Sequence, residues 1–179
     1  MDKNKFVSTA DLGIGFSRRF SNDLNFDIQL VNGEGYKWPQ SDSYQKLSIN
    51  ATYGENNLSI NEGFNFGLAF SSEYINSMLS VFGGFSFNGL RVGAELDFLT
   101  ENNVIQNLIS LTSAYSINNK IDVFARYNVL ENDGNEKYFI SGIVYDCGSG
   151  LLVSPNIRIH NEIVHFYDLV YKLNFQFKF

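Results

Sequence analysis

His160 and His165 stand on either side of Asn161 and Glu162, and they are the first residues whose types and spacing could do chemistry. Two imidazoles and a carboxylate could hold a divalent metal, but a stable site needs a third or fourth ligand. They could serve hydrolysis, but that needs a nucleophile and an oxyanion hole, and no Gly-x-Ser-x-Gly accompanies them. The expectation is therefore no metal, no cofactor and no catalysis, with both histidines solvated in a loop. The glycine-bearing stretch at 81–85 is not a phosphate loop, because no helix pattern follows it. What does recur is charge at alternate positions. Arg19, Lys46, Arg91, Arg126, Arg158 and Lys172, with Asp11, Asp27, Glu95, Asp97, Asp122 and Asp168, all fall on the polar parity of their segments. Such residues of both signs suit a shared water-filled interior, where opposed rows set a field across a solute path. In a narrow or plugged interior they would pair instead. In a dry core they would be prohibitive without pairing.

The elements that must position these charges are strands. In residues 167–179, Tyr167, Leu169, Tyr171, Leu173, Phe175, Phe177 and Phe179 share one parity, and Asp168, Lys172, Asn174, Gln176 and Lys178 share the other. A period of two describes a strand whose faces see different solvents. So unbroken an apolar and aromatic face is expected of a transmembrane barrel, with lipid outside and water inside; the last strand of a soluble sandwich is the alternative. The pattern resembles the C-terminal assembly signal of bacterial outer-membrane β-barrel proteins, carried here by Tyr171, Leu173, Phe175, Phe177 and Phe179.

Composition agrees with strands. The chain of 179 residues has 10 Tyr, 17 Phe, 15 Gly and 2 Pro, and no long runs of helix formers. Mean hydropathy is −0.13 and no window reaches the apolar length of a membrane helix. That does not separate a soluble protein from a β-barrel, because alternation averages the two faces. A net charge of −6 without a basic patch argues against a nucleic-acid partner. Cys147 is the single cysteine, so no internal disulfide forms. The start of the chain does not read as a secretory signal, since no apolar core follows its charges.

Alternating segments recur along the chain between turns rich in Asn, Asp, Gly and Ser. Leu12, Ile14 and Phe16 begin the apolar series, which continues through Phe26, Ile49, Phe66, Leu96, Leu111, Val123 and Ile157. The fourth segment, 58–71, has Glu62 on its apolar parity, which implies either a bulge near Gly63 or an interfacial carboxylate. Residues 138–145 are apolar on both parities and leave their faces unassigned. The total is about eleven strands with no helix, an all-β antiparallel up-and-down transmembrane barrel of about 10–12 strands. The turns near 21–23, 54–57, 88–89, 118–119 and 147–150 read as short. Those near 32–43, 72–77, 100–104, 131–136 and 161–165 read as longer. Outer-membrane barrels alternate short periplasmic turns with longer outer loops, and the loop bearing Trp38 and Pro39 would cover the rim or enter the opening. An odd count starting outside is what the C-terminal portion of a longer barrel would give, so residues 1–179 read as a single domain of that kind.

Val31-Asn-Gly-Glu-Gly-Tyr-Lys37, Ile121-Asp-Val-Phe-Ala-Arg-Tyr127 and Ser154-Pro-Asn-Ile-Arg158 resemble the C-terminal half of porin-like outer-membrane proteins related to the phosphate-selective porin O/P family, in its Bacteroidetes-type form. That resemblance covers essentially the whole chain through short motifs. It implies a Gram-negative outer membrane, a barrel larger than this chain, and passive diffusion of small hydrophilic solutes or ions. It implies lipid, lipopolysaccharide and the barrel assembly machinery as partners, with a homo-oligomer open. It does not carry over phosphate selectivity, because the basic ladders of the specific phosphate channels have no counterpart here. A non-conducting outer-membrane or soluble barrel with a structural or binding role is the alternative.

Overall fold

Backbone N–H and C=O groups need partners, and alternating segments joined by tight turns find them in the neighbouring strand. The computed structural model describes residues 12–20, 23–32, 44–102, 104–131, 135–161 and 167–177. They form eleven strands: β1 (Gly13–Arg19), β2 (Leu24–Val31), β3 (Lys46–Gly54), β4 (Gly63–Glu73), β5 (Asn76–Phe87), β6 (Leu90–Glu101), β7 (Val104–Asn118), β8 (Ile121–Glu131), β9 (Glu136–Gly148), β10 (Leu151–Asn161) and β11 (Tyr167–Phe177). All eleven lie in one sheet in sequence order, each antiparallel to the next. The sheet is not closed: β1 and β11 are its two edges. Most strands from β4 onward run 11 to 13 residues, long enough to cross a bilayer when tilted.

Register puts like with like. Phe66, Leu68 and Phe70 stand beside Tyr53, Ala51 and Ile49 on β3 and beside Gly83, Val81 and Leu79 on β5. The opposite parity joins Asp27, Asn50, Ala69, Ser80, Asp97 and Leu108 in one row. Side chains of the first set are largely exposed, whereas Ser71, Ser80, Ser86, Ser110 and Asn156 of the second are buried. One concavity is lined from Asn65 on β4 to Asn174 on β11, so the sheet curls with its polar parity inside. The convex face is apolar. Among its aromatic residues, Tyr53, Phe64, Phe85, Phe87, Tyr115, Tyr145, Phe175 and Phe177 sit toward strand ends nearest the same set of turns, and Tyr53 packs on Phe64 and Phe66. Ser141 is polar on this face, and its hydroxyl donates to the Phe124 carbonyl.

Several local expectations change. Residues 58–61 are not strand: Asn57 caps a single helical turn, accepting at its carbonyl from the Ile60 and Asn61 amides. β4 therefore begins at Gly63, and Glu62 lies in the turn, accepting from the Asn88 amide at 2.8 Å; there is no bulge to explain. The loop-length alternation is weaker than the residues suggested, since 55–62 is long on the side expected to be short. On the other side β4 and β5 are joined by Tyr74 and Ile75 alone. Tyr74 adopts φ 52°, which allows that reversal. The Asn88-Gly89 turn is as expected, with both residues at positive φ in the hairpin geometry that matches strand twist. Residues 138–145 resolve into Phe139, Ile143 and Tyr145 outside and Tyr138, Ile140 and Val144 inside.

Leu108 is fully buried on the concave side and packs with Leu130, Met78 and Leu99. Truncating it should leave a cavity costing about 2–4 kcal/mol. Leu111→Ala, on the exposed convex face, should cost well under half of that. Denaturant titration of the two variants folded into lipid vesicles checks the difference.

Candidate functional site

Strand pairing brings most of the sequence-predicted charges to the concave face. Arg91, Glu95, Arg126 and Arg158 are half-buried there, on β6, β8 and β10. Arg126 and Arg158 are the two cross-strand neighbours of Ile140, one on each side of β9. Arg126 Nε donates to Asn128 Oδ1 at 2.9 Å, and Arg158 Nε donates to Asn156 Oδ1 at 3.1 Å. Each guanidinium is thus held by an asparagine two residues away on its own strand and face. Neither makes an ion pair among the described residues.

Lys172 and Asp168 lie on the same face of β11, opposite Asn156 and His160, and with Arg126 and Arg158 they line a second hollow of about 360 Å³. Lys46 lies farther along the wall with Asp27, Gln29 and Ser48, around a smaller hollow of about 210 Å³. Arg19 ends β1 at the sheet edge. Asp11 lies outside the described residues, as do the Trp38 and Pro39 loop, His165, Glu162 and Phe179.

Three expected placements change. Arg91 and Asp122 do not face each other across an opening; they form an ion pair along the wall, Nη2 to Oδ2 at 3.2 Å. Asp97 is on the concave parity but only 1% exposed, lying across from Leu108, so its carboxylate is not on the open surface. His160 is not in a loop. It lies in β10, stacked on Tyr138 with ring centroids 4.1 Å apart, and its Nε2 is 3.6 Å from Glu136 Oε2. Tyr138 donates its hydroxyl to the same carboxylate, and Glu136 is the first residue of β9 rather than a loop residue.

The sequence reading missed the apolar part of the site. Leu58, Phe82, Phe124 and Ile140 line a concavity of about 670 Å³ together with Arg91, Arg126 and Arg158. Phe82 and Phe124 carried a signal, since both break alternation by falling on the polar parity. Leu58 had none, because it reaches the cavity from the 55–62 turn. That turn is pinned by Asn25 Nδ2 donating to Asn56 Oδ1 and Asn65 Nδ2 donating to the Glu55 carbonyl, both at 2.8 Å.

Glu55 organises the turn further. Its carboxylate accepts from the Asn57 amide and from the Asn61 side chain, and these bonds hold its pKa below the ordinary carboxylate value. A pKa depressed by folding contributes order above the unfolded value, and that order is lost as the pH falls through the folded one. Amide-exchange protection at Asn57 should therefore fall as the pH drops below the ordinary carboxylate range. In Glu55→Gln it should be lower and flat with pH.

No protein-family model matches the chain, and no curated protein matches it. Solved structures do. Two mutant forms of Rhodobacter blastica porin superpose on it with TM-scores of 0.69 and 0.70, at 16% and 15% sequence identity. Both alignments cover 93% of this chain and 55% of the porin chain. A porin refined at 1.8 Å gives 0.68 at 16% identity, over 93% of this chain and 61% of that one. This chain therefore spans little more than half the length of the porins it resembles. At such identity the likeness is one of fold: eleven antiparallel up-and-down strands curled as in part of a porin barrel. It is a likeness to porins in general, and it singles out neither a phosphate-selective type nor a bacterial group.

Proposed function

We propose that this chain is part of the wall of a porin-like outer-membrane channel for passive diffusion of small hydrophilic solutes or ions. One observation carries the reading: a single curled antiparallel sheet is apolar on its convex face and charged on its concave face. In water that convex face would be a patch far larger than a soluble monomer exposes. In a bilayer it is the lipid-facing wall, its strand-end aromatics sit at the interface, and the charged face borders water. Tyr171, Leu173, Phe175 and Phe177 are outward on β11, which supports a role in recognition by the assembly machinery. Lipid and lipopolysaccharide are then the surrounding partners. The O/P-like motifs support a relationship to that family in its Bacteroidetes-type form.

Strand parity bears on closure. In an up-and-down sheet of eleven strands, β1 and β11 run in the same direction, so pairing them directly would make a parallel contact. An all-antiparallel barrel needs an odd number of further strands between them.

The test is conductance. The intact protein, folded into planar lipid bilayers, should give discrete steps that scale with bulk salt conductivity. A heat-modifiable, correctly inserted protein that never conducts would replace the channel with a closed membrane barrel.

A further inference from the structure

The 670 Å³ concavity differs from a plain water-filled wall in having two kinds of surface. Phe82, Phe124, Ile140 and the turn residue Leu58 give it an apolar floor, and Arg126 and Arg158 line it beside Ile140. The room is made by missing side chains. A Cβ at Gly84 would come within 2.8 Å of Leu58 Cδ1, and one at Gly93 within 2.9 Å of Thr112 Oγ1. The two guanidiniums flank Ile140 on β8 and β10, with backbones roughly 10 Å apart across β9. Each Nε is already engaged by an asparagine, which fixes the side chain and leaves the Nη donors for another partner. Arg91, by contrast, is taken by Asp122.

We propose that this concavity is a binding subsite for small organic anions, namely carboxylates that carry an apolar body. An inorganic anion would use the guanidinium donors and leave the aromatic and aliphatic floor wet. A neutral apolar solute would do the reverse. A carboxylate with a short hydrocarbon chain satisfies both at once: the guanidiniums take the carboxylate by charge-assisted hydrogen bonds, and the floor removes the chain from water. A volume of this size suits a small molecule. The inference rests on the reading of the concave face as a water-filled interior, and it adds a solute class to it.

The test is calorimetric titration of the intact protein, refolded in detergent micelles, with acetate, butyrate, hexanoate and hexanol at constant ionic strength. Affinity should rise about two- to fourfold per added methylene. Hexanol should bind at least about tenfold more weakly than hexanoate, and Arg126→Gln with Arg158→Gln should weaken hexanoate by about tenfold or more. Phe124→Ser should flatten the chain-length series and leave acetate unchanged. A flat series in the parent protein, hexanol binding as well as hexanoate, or hexanoate binding unchanged in the arginine variant would each overturn the proposal. Planar-bilayer recordings separate the two levels. Conductance with a flat series sinks the subsite and keeps the channel, whereas the graded series without conductance keeps the subsite and sinks the channel.

Discussion

Leu96→Arg is expected to prevent stable insertion into bilayers, whereas Glu95→Arg, one residue away, is expected to insert normally. Both positions are near the middle of β6, but they occupy opposite faces. Leu96 is 42% exposed on the convex side between Val81 and Ile109, and Glu95 is half-buried on the concave side between Phe82 and Ser110. A guanidinium held at the bilayer midplane on the lipid face costs about 2–4 kcal/mol. That is a large share of the stability of any marginally stable fold. The same guanidinium on the inner wall stays hydrated. Folded fraction in vesicles, read by heat-modifiable gel mobility and denaturant titration, gives the comparison. Equal impairment at the two positions would mean that the convex face does not meet lipid.

The double reversal Arg126→Glu with Arg158→Glu is expected to shift permeability strongly towards cations. With Arg91 paired to Asp122 and Asp97 buried, these two guanidiniums and Lys172 are the main cationic groups bordering the hollows on β8 to β11. Reversing both changes the local charge by four units on the concave face that borders the proposed channel. The effect should be largest at low ionic strength, since salt screens over about 10 Å at 0.1 M. Glu101→Lys, exposed at the far end of β6, should change selectivity much less. Reversal potentials across a salt gradient provide the readout. An unchanged potential in the arginine pair would remove those side chains from the conduction path.

Most of the fold was legible because a two-faced strand writes its environment into every second residue. Leu90, Val92, Ala94, Leu96 and Phe98 against Arg91, Glu95 and Asp97 leave little choice of face. Where both parities are apolar that information disappears. In β9, Ile140 and Val144 point inward, and Ile140 does so because it forms the floor between two arginines. Parity also could not tell an open inner wall from a covered one: Asp97 and Glu95 read alike, yet the former is fully buried across from Leu108 and the latter only half-buried. Pairing was equally hidden, because Arg91 and Asp122 are adjacent in space only through the register of β6, β7 and β8. The apolar patch escaped for two reasons. Leu58 belongs to a turn with no period to read, and Phe82 and Phe124 look like single breaks in alternation until the pairing of β5 through β8 places them around one hollow.

The most direct measurement of the central claim is the accessibility of nitroxide spin labels on the folded protein in bilayers. One set carries labels at Phe26, Ile49, Leu96, Val123, Ile157 and Leu173 on the convex face. The other carries them at Asp27, Glu95, Arg126, Arg158 and Lys172 on the concave face. The expected result is opposite behaviour: oxygen, which concentrates in lipid, relaxes the first set, and a water-soluble nickel chelate relaxes the second. Equal access of both relaxers to both sets would contradict a wall that separates lipid from water.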